Sequence, residues 1–543
     1  MALALPLSER SSRSRQRVAA ALIVVAVISS LVLFWRLGEK PLENWDEGIH
    51  ANVTLEMYRQ GAWLDLSYRD ELYTAKPPLS FWLRAGLFPV LGETELAIRW
   101  WSAVAGVATA VLLSYWAWQL FANARMAALA GLVFVTGRYV MFHSFRTGET
   151  DGLFILLLVA ALYAYWRSLQ SPGWFVWFGV LTDLAVMTKS LAGAIPAIIV
   201  AIDLTLGRRW RQLGWRKIGW SVLAAVVVVL PWHAVELVRH GREFWQSYFG
   251  FHVLERAGEV LYANQVPWYW YADIVGRRMF PYVALVPLAA LLALRRAIRD
   301  RDELDRLLLV WSAVVFVMFS LIQTKFDWYI LPIYPALVLL VSRAVWELVK
   351  QPGRLVVGGF LVSLAVMVFV LPRGLAHEGL LWFLTPYAYL PEAALTSGGR
   401  VVVGLGVAGL VWLTAVWLRR RLARPEKLLA MLAAVAVVVL SLGWQASYLR
   451  HLPTAGPFKN MAQQLDDLNA TEVEVVDIKL LTSPAGYFYL RRVPGLMVRE
   501  VAVEAARGPY ILTTATERDR FPSSRAILER DRYVLLEWRP AGA

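Results

Sequence analysis

The sequence predicts a polytopic α-helical membrane protein with a small α/β domain at its C-terminal end. Three observations lead there. Of its 543 residues, 58% are hydrophobic, whereas a soluble domain is nearer half apolar. The excess lies in runs long enough to cross a bilayer, which takes about 20 apolar residues per helix. After about Tyr448 those runs stop, and short amphipathic and alternating patterns replace them.

In chain order, the basic stretch "SERSSRSRQR" precedes an apolar run from Val18 to Trp35. That run is longer than a signal-peptide core, and no small-x-small cleavage site follows it, so it reads as an uncleaved first span. Run length then predicts about thirteen spans. They lie near 18–36, 96–121, 126–143, 150–167, 173–188, 191–207, 218–238, 268–294, 307–323, 328–346, 355–372, 400–418 and 428–447. The apolar piece Pro77–Leu91 is too short to span and is expected in the membrane interface, as is the Trp-containing segment at 377–395.

The net charge of +14 comes from 55 Lys and Arg against 41 Asp and Glu. The basic residues cluster in short segments between apolar runs ("GRRWRQLGWRK", "RRAIRDRDELDR", "RRRLARPEK"). They therefore read as cytoplasmic topology signals, and no nucleic-acid partner is expected. The N-terminus is then cytoplasmic, and thirteen alternating spans place the C-terminus outside. There are no cysteines, which excludes disulfides, thiolate metal sites and a cysteine nucleophile.

The outer side receives the loops at 37–95, 144–149, 188–191, 239–267, 324–327 and 373–399. At the C-terminal end, "FKNMAQQLDDLNATEVEVVDIKLL" predicts an amphipathic helix, a turn and a strand, and "RGPYILTTATE" and "DRYVLLEWRP" predict further strands. The expected division is a transmembrane domain over 1–447, its outer loop 37–95 carrying an Asp-Glu pair, and an extracytoplasmic α/β domain over 448–543.

Charges on the outer side are not topology signals. Asp46 and Glu47 follow the first span, Lys76 sits in "YTAKPPLSFW", and Arg146, Glu149 and Asp151 occupy "SFRTGETDGLF". Lys189 ends "MTK", His252 and Arg256 lie in "YFGFHVLERA", and Lys325 and Asp327 in "QTKFDWYILPIYP". Taken singly each has an ordinary reading. Asp46 suits a helix N-cap, with Glu47 favoured by the helix dipole. Arg146 suits a surface ion pair with Glu149 or Asp151, and Lys189 suits a snorkelling helix end. Together they bring carboxylates able to activate a hydroxyl and cations able to bind a departing phosphate to one face of the membrane.

These residues carry a resemblance. The segments "WDEGIHANVTLEMYRQGAWLDL", "YTAKPPLSFWL", "FRTGETDGLFILLLVAALYAYWR", "LAVMTKSLAGAIP" and "TKFDWYILPIYPAL" are similar, in order and spacing, to the GT-C class of polyprenyl-phosphate-sugar glycosyltransferases. Within it the sequence resembles the bacterial aminoarabinose transferases and protein O-mannosyltransferases. The resemblance implies a GT-C fold of about thirteen transmembrane helices with a small outer domain. It also implies transfer of a sugar, with inversion, from an undecaprenyl or dolichyl phosphate carrier to a hydroxyl or phosphate on a lipid, glycan or protein.

It further implies a catalytic group of Asp46, as base, with Glu47 and Asp151. Tyr73, Lys76, Arg146, Lys189, His252 and Lys325 are then expected around the donor's lipid phosphate. Some members hold a divalent metal with a glutamate and a histidine. Here His252 matches the histidine and is the candidate ligand for a divalent metal, but Ala75 stands at the acidic position, so such a metal would lose one ligand. Two alternatives share the same carrier: a flippase for lipid-linked sugars, and a binding subunit without catalysis. Ionisable groups in outer loops, away from the bilayer midplane, favour the enzyme.

Overall fold

The computed structural model describes residues 12–141, 143–210, 214–255, 258–259, 266–279, 282–350, 456–478 and 483–538. The spans expected at 355–372, 400–418 and 428–447, and the interfacial segment at 377–395, lie outside the described residues. Among the described residues, six helices are long and apolar enough to cross a membrane: Arg13–Phe34, Glu95–Phe121, Asp151–Ser168, Trp174–Leu206, Glu303–Leu321 and Asp327–Glu347. A seventh forms if Trp215–Val228 and Leu230–Phe251, bent by 41°, are one span.

Four expected spans differ, each at a local break that run length cannot register. The span at 126–143 is a 13-residue helix, Ala124–Thr136, started by Asn123 accepting from the backbone N–H of Arg125 and Met126. Gly137 is extended and ends it, and a 3₁₀ turn, Arg138–Met141, follows. The two spans at 173–188 and 191–207 are instead one candidate of 33 residues, Trp174–Leu206, with the 3₁₀ turn Ser190–Ala194 inside it. The span at 268–294 is two helices, Trp270–Arg278 and Val286–Arg299, with Pro287 in the first turn of the second. Proline suits a first turn because its missing N–H would be unpaired there anyway.

Contacts divide the chain into two compact units. One comprises Met1–Leu33, Val104–His143 and Asp151–Arg450; the other Phe34–Ala103, Ser144–Thr150 and His451–Ala543. The first unit is helical. Asp327–Glu347 lies in its interior, where the Tyr334 ring stacks on Tyr139 at 4.1 Å. Its helix ends are tied by buried ion pairs. Arg306 donates to Asp203 at 2.7 Å, where Tyr165 also donates at 2.6 Å, and Arg343 reaches Asp302 at 3.1 Å and Asp305 at 3.2 Å. Arginines in the basic clusters therefore have a packing role as well as a topological one.

The second unit joins the outer loop and residues 144–150 to the C-terminal residues. Its five-stranded sheet runs, edge to edge, Met497–Val501, Glu472–Val476, Tyr510–Thr514, Tyr533–Trp538, Ser524–Arg530. The first three strands are parallel and the last two pairings antiparallel. The helix Pro484–Arg492 makes the crossover between the first two, as a parallel connection requires. Alternation along the strands supplies two cores. Val475, Leu512 and Leu535 face the helices, while Val476, Ile511, Val534 and Leu536 face Ala506 and Phe521 on the other side.

The helix-side core also takes Leu42, Ala51, Leu55, Phe88, Ala97 and Ile98 from the outer loop and the start of the next span. The helix Asp46–Gln60 supplies the polar half of that contact at helical spacing. Gly48 packs against the backbone of Ala485, and Asn52 donates to the Pro484 carbonyl at 2.8 Å. Glu56 accepts from Arg491 at 2.5 Å, and Arg59 donates to the Arg491 carbonyl at 2.7 Å.

A Cβ on Gly48 would lie 2.4 Å from the Ala485 amide nitrogen. Gly48→Ala is therefore expected to lower the thermal unfolding midpoint of the purified protein despite alanine's higher helix propensity. Phe488, fully buried in the shared core, is expected to cost about 3–5 kcal/mol as Phe488→Ala. Denaturant unfolding of the detergent-solubilised protein, with both variants beside wild type, checks both.

Candidate active site

The Asp-Glu pair sits at an unusual helix start. Asp46 is the first residue of the helix Asp46–Gln60, and the N-cap position belongs to Trp45, with φ 68° and no side-chain cap. Asp46 is thus a first-turn carboxylate, where the helix dipole favours its charge, and not the expected N-cap. A tryptophan in the left-handed region is strained by roughly 1–3 kcal/mol, and such strain persists only where the surroundings enforce it.

Glu47 shows what enforces it. Its side chain is buried, and both oxygens receive N–H groups from three directions. Arg99 donates through Nε at 2.7 Å to Oε1 and through Nη2 at 2.8 Å to Oε2. The Gly148 amide donates at 2.6 Å to Oε1, and the Glu43 amide at 2.6 Å to Oε2. Arg99 completes its own set on the carbonyls of Leu37 at 3.0 Å, Lys40 at 2.8 Å and Pro41 at 3.0 Å. The second acidic residue of the pair therefore holds the loop before the helix, the 144–150 segment and the next helix in one place. It presents Asp46, half-buried, beside it.

Four further charged or titratable groups belong to the same unit as Asp46. A Glu149 carboxylate oxygen lies within 4.8 Å of one from Asp46. His50, one turn along from Asp46 and buried, has Nδ1 at 3.3 Å from Glu149 Oε2 and 3.3 Å from the Gly148 carbonyl. Arg146 is buried, not on the surface as expected, and donates to the Trp35 carbonyl at 2.7 Å. Burial pushes its guanidinium down to about 10, and the charge of Arg99 adds to the effect. Lys40 is likewise lowered, first by burial and then by Arg99 and Arg146, against the pull of Glu43.

Tyr73 and Lys76 lie in the same unit. The Tyr73 ring meets Phe81 edge-on at 5.8 Å, and half-buried Lys76 donates to the Ala75 carbonyl at 3.2 Å. The first unit holds other expected residues. Lys189, expected to snorkel, instead pairs with buried Asp151. Its Nζ lies 5.7 Å from the Phe154 ring centre. Lys325 is buried, and next to it Asp327 accepts from Arg278 at 2.9 Å. The side chain of His252 and all of Arg256 lie outside the described residues. Ala75 offers no side-chain ligand atom for a metal.

Sequence reading passed over Arg99, Lys40 and Arg84. Arg99 sits inside a span that run length marks as apolar, and its presence in the first turn was the only signal. Removing one partner of a buried ion pair strands the other charge, which costs about 3–5 kcal/mol. Glu47→Ala is expected to destabilise the protein by that order, measured as a fall in unfolding midpoint. Glu47→Ala with Arg99→Met together is expected to lose less than either alone.

Residues 75–233 match the family described as dolichyl-phosphate-mannose-protein mannosyltransferase. Among curated relatives, the undecaprenyl phosphate-α-4-amino-4-deoxy-L-arabinose arabinosyl transferase of Edwardsiella ictaluri is 27% identical over 378 residues, 68% of this chain and 66% of that protein. Its counterpart in Serratia proteamaculans is 29% identical over 328 residues, 59% of this chain and 58% of that protein. The crystal structure of ArnT from Cupriavidus metallidurans bound to undecaprenyl phosphate superposes with a TM-score of 0.72 at 20% identity, covering 95% of this chain and 98% of that one. The apo form gives 0.70, covering 97% and 98%. At that identity the superposition establishes the fold. The chain is thus a multi-pass membrane protein with the GT-C fold, similar in sequence to curated glycosyltransferases that use a polyprenyl-phosphate sugar.

Proposed function

We propose that the protein moves a sugar from a polyprenyl-phosphate carrier to a hydroxyl or phosphate acceptor on the outer face of the cytoplasmic membrane. The observation that carries this reading is the placement of Asp46. It is a half-buried carboxylate in a helix first turn, held there by the strained Trp45 and the clamped Glu47, with buried cations close by in the same unit. Asp46 takes the proton of the acceptor hydroxyl as that oxygen bonds to the anomeric carbon. The bond from that carbon to the phosphate oxygen breaks with its electron pair, and Lys76 with Arg146 neutralises the departing polyprenyl phosphate.

A single displacement of this kind inverts the anomeric centre. Glu47 supports the reaction through the backbone it holds. Confinement of donor and acceptor at the membrane supplies rate by positioning. No metal is assigned, because Ala75 provides no ligand. The relatives' transferase activity disfavours the flippase alternative. Which sugar is carried, and to which acceptor, is left to the assay.

Asp46→Asn is expected to lose about 10²–10⁴ of the turnover, the usual share of a general base. The readout is release of undecaprenyl phosphate from an undecaprenyl-phosphate sugar offered with lipid, glycan and peptide acceptors. Turnover at the wild-type level in that variant removes Asp46 as the base. For orientation, the basic inner clusters place the N-terminus in the cytoplasm and residues 448–543 outside. An alkaline phosphatase fusion after Ala543 is expected to be active, and an inactive one reverses the topology.

A further inference from the structure

Trp45, immediately before Asp46, has backbone angles of φ 68° and ψ −125°. Those values lie near the first central position of a type II′ turn, which favours glycine because it has no Cβ to clash. Backbone outliers of this kind cluster at functional sites. A glycine at position 45 would relieve the strain and would still serve as an N-cap, where it ranks beside threonine. The chain instead places there the bulkiest of side chains.

Packing does not account for the indole. Trp45 is 60% exposed, and its ring makes no hydrogen bond, ring contact or cation contact among the described residues. Trp35 and Trp63 are exposed as well, but neither has a positive φ. Exposure alone is therefore common in this unit, and strain combined with exposure sets Trp45 apart. Its backbone is held by the clamp on Glu47, two residues on, so the indole is carried on a fixed turn.

An indole offers a broad apolar surface with a negative π face. One face of a sugar ring is lined by C–H groups, and such a face stacks on that surface. Transfer brings the donor's anomeric carbon to the acceptor oxygen at Asp46, whatever the acceptor is. The donor's sugar ring is thus the group that must come up to this helix start. The Trp45 and Asp46 Cα atoms are neighbours in the chain, about 3.8 Å apart, so a ring seated at Asp46 is within reach of the indole.

We propose that the Trp45 indole is a stacking platform for the sugar ring of the lipid-linked donor. The proposal rests on the reading that transfer takes place at Asp46. It assigns the sugar to the turn before the helix and leaves the carrier's phosphate to Lys76 and Arg146.

The test measures binding without turnover, so it stands apart from the assay of Asp46 as base. The full chain in lipid nanodiscs is offered undecaprenyl phosphate alone and undecaprenyl phosphate bearing glucose, mannose or 4-amino-4-deoxy-L-arabinose. Wild type is expected to bind at least one sugar-bearing carrier more tightly than the bare one. Trp45→Gly is expected to raise the Kd of that carrier about 3- to 10-fold and to leave the bare carrier unchanged. Trp45→Phe is expected to keep most of the difference. Asp46→Asn is expected to keep it too, so failure of the base and failure of the platform give different results. The unfolding midpoint of W45G is expected at or above that of wild type, because the strain is gone.

An unchanged Kd for every carrier in W45G overturns the proposal and leaves the indole to the membrane interface. Equal weakening of bare and sugar-bearing carriers also overturns it, making Trp45 a contact of the lipid or its phosphate. A wild type that gains nothing from any of the sugars overturns it as well. If W45G does not fold, Trp45→Leu carries the test: it keeps apolar bulk without a π face, and an undiminished preference for the sugar-bearing carrier sinks the idea.

Discussion

One buried ion pair holds together the outer loop that carries the Asp-Glu pair. Glu47 and Arg99 meet bidentately, and between them they engage Leu37, Lys40, Pro41, Glu43 and Gly148. Every one of those partners is backbone. A pair satisfied this way fixes the path of the chain more than the identity of the side chains around it, which is why three segments distant in sequence share one geometry. Burying two charges is unfavourable in itself. The compensation is that both lone-pair sets and all five guanidinium N–H groups are used.

The helix that follows is buried almost all round, and each side has its own task. Gly48, Asn52, Glu56 and Arg59 lie against the C-terminal helix Pro484–Arg492. Val53 and Met57 pack with Phe81 and Ala85. His50 turns to Glu149. The start of the helix is thereby held from several directions, which keeps Trp45 in a backbone region that tryptophan rarely occupies. The C-terminal residues thus belong to the architecture that aims Asp46, since their core is continuous with that of the outer loop. Rigid support of this kind is what a transfer reaction between two membrane-bound partners requires, because positioning supplies much of its rate.

Charge is distributed with the same economy. Burial lowers both Arg146 and Lys40, and the charge of Arg99 adds to the effect on each. In the helical unit, arginines that look like simple topology signals close ion pairs with Asp203, Asp302 and Asp305.

Much of this was legible in the residues. Apolar run length found the membrane class, because a bilayer imposes a minimum helix length whatever the neighbours do. Alternation found the strands after residue 448, and loop charges found Asp46, Lys76 and Arg146 on one side of the membrane. Breaks within apolar runs were not legible, since Gly137 and Pro287 interrupt helices without interrupting hydrophobicity. Nor was the division of labour within the Asp-Glu pair, for two adjacent carboxylates look alike in sequence. Only the tertiary structure brought Arg99 to Glu47, the second residue of the pair, and only it placed His50, Tyr73 and Arg84 around a common phenyl ring. Burial and pairing decide what a charged side chain does, and both are set by segments far apart along the chain.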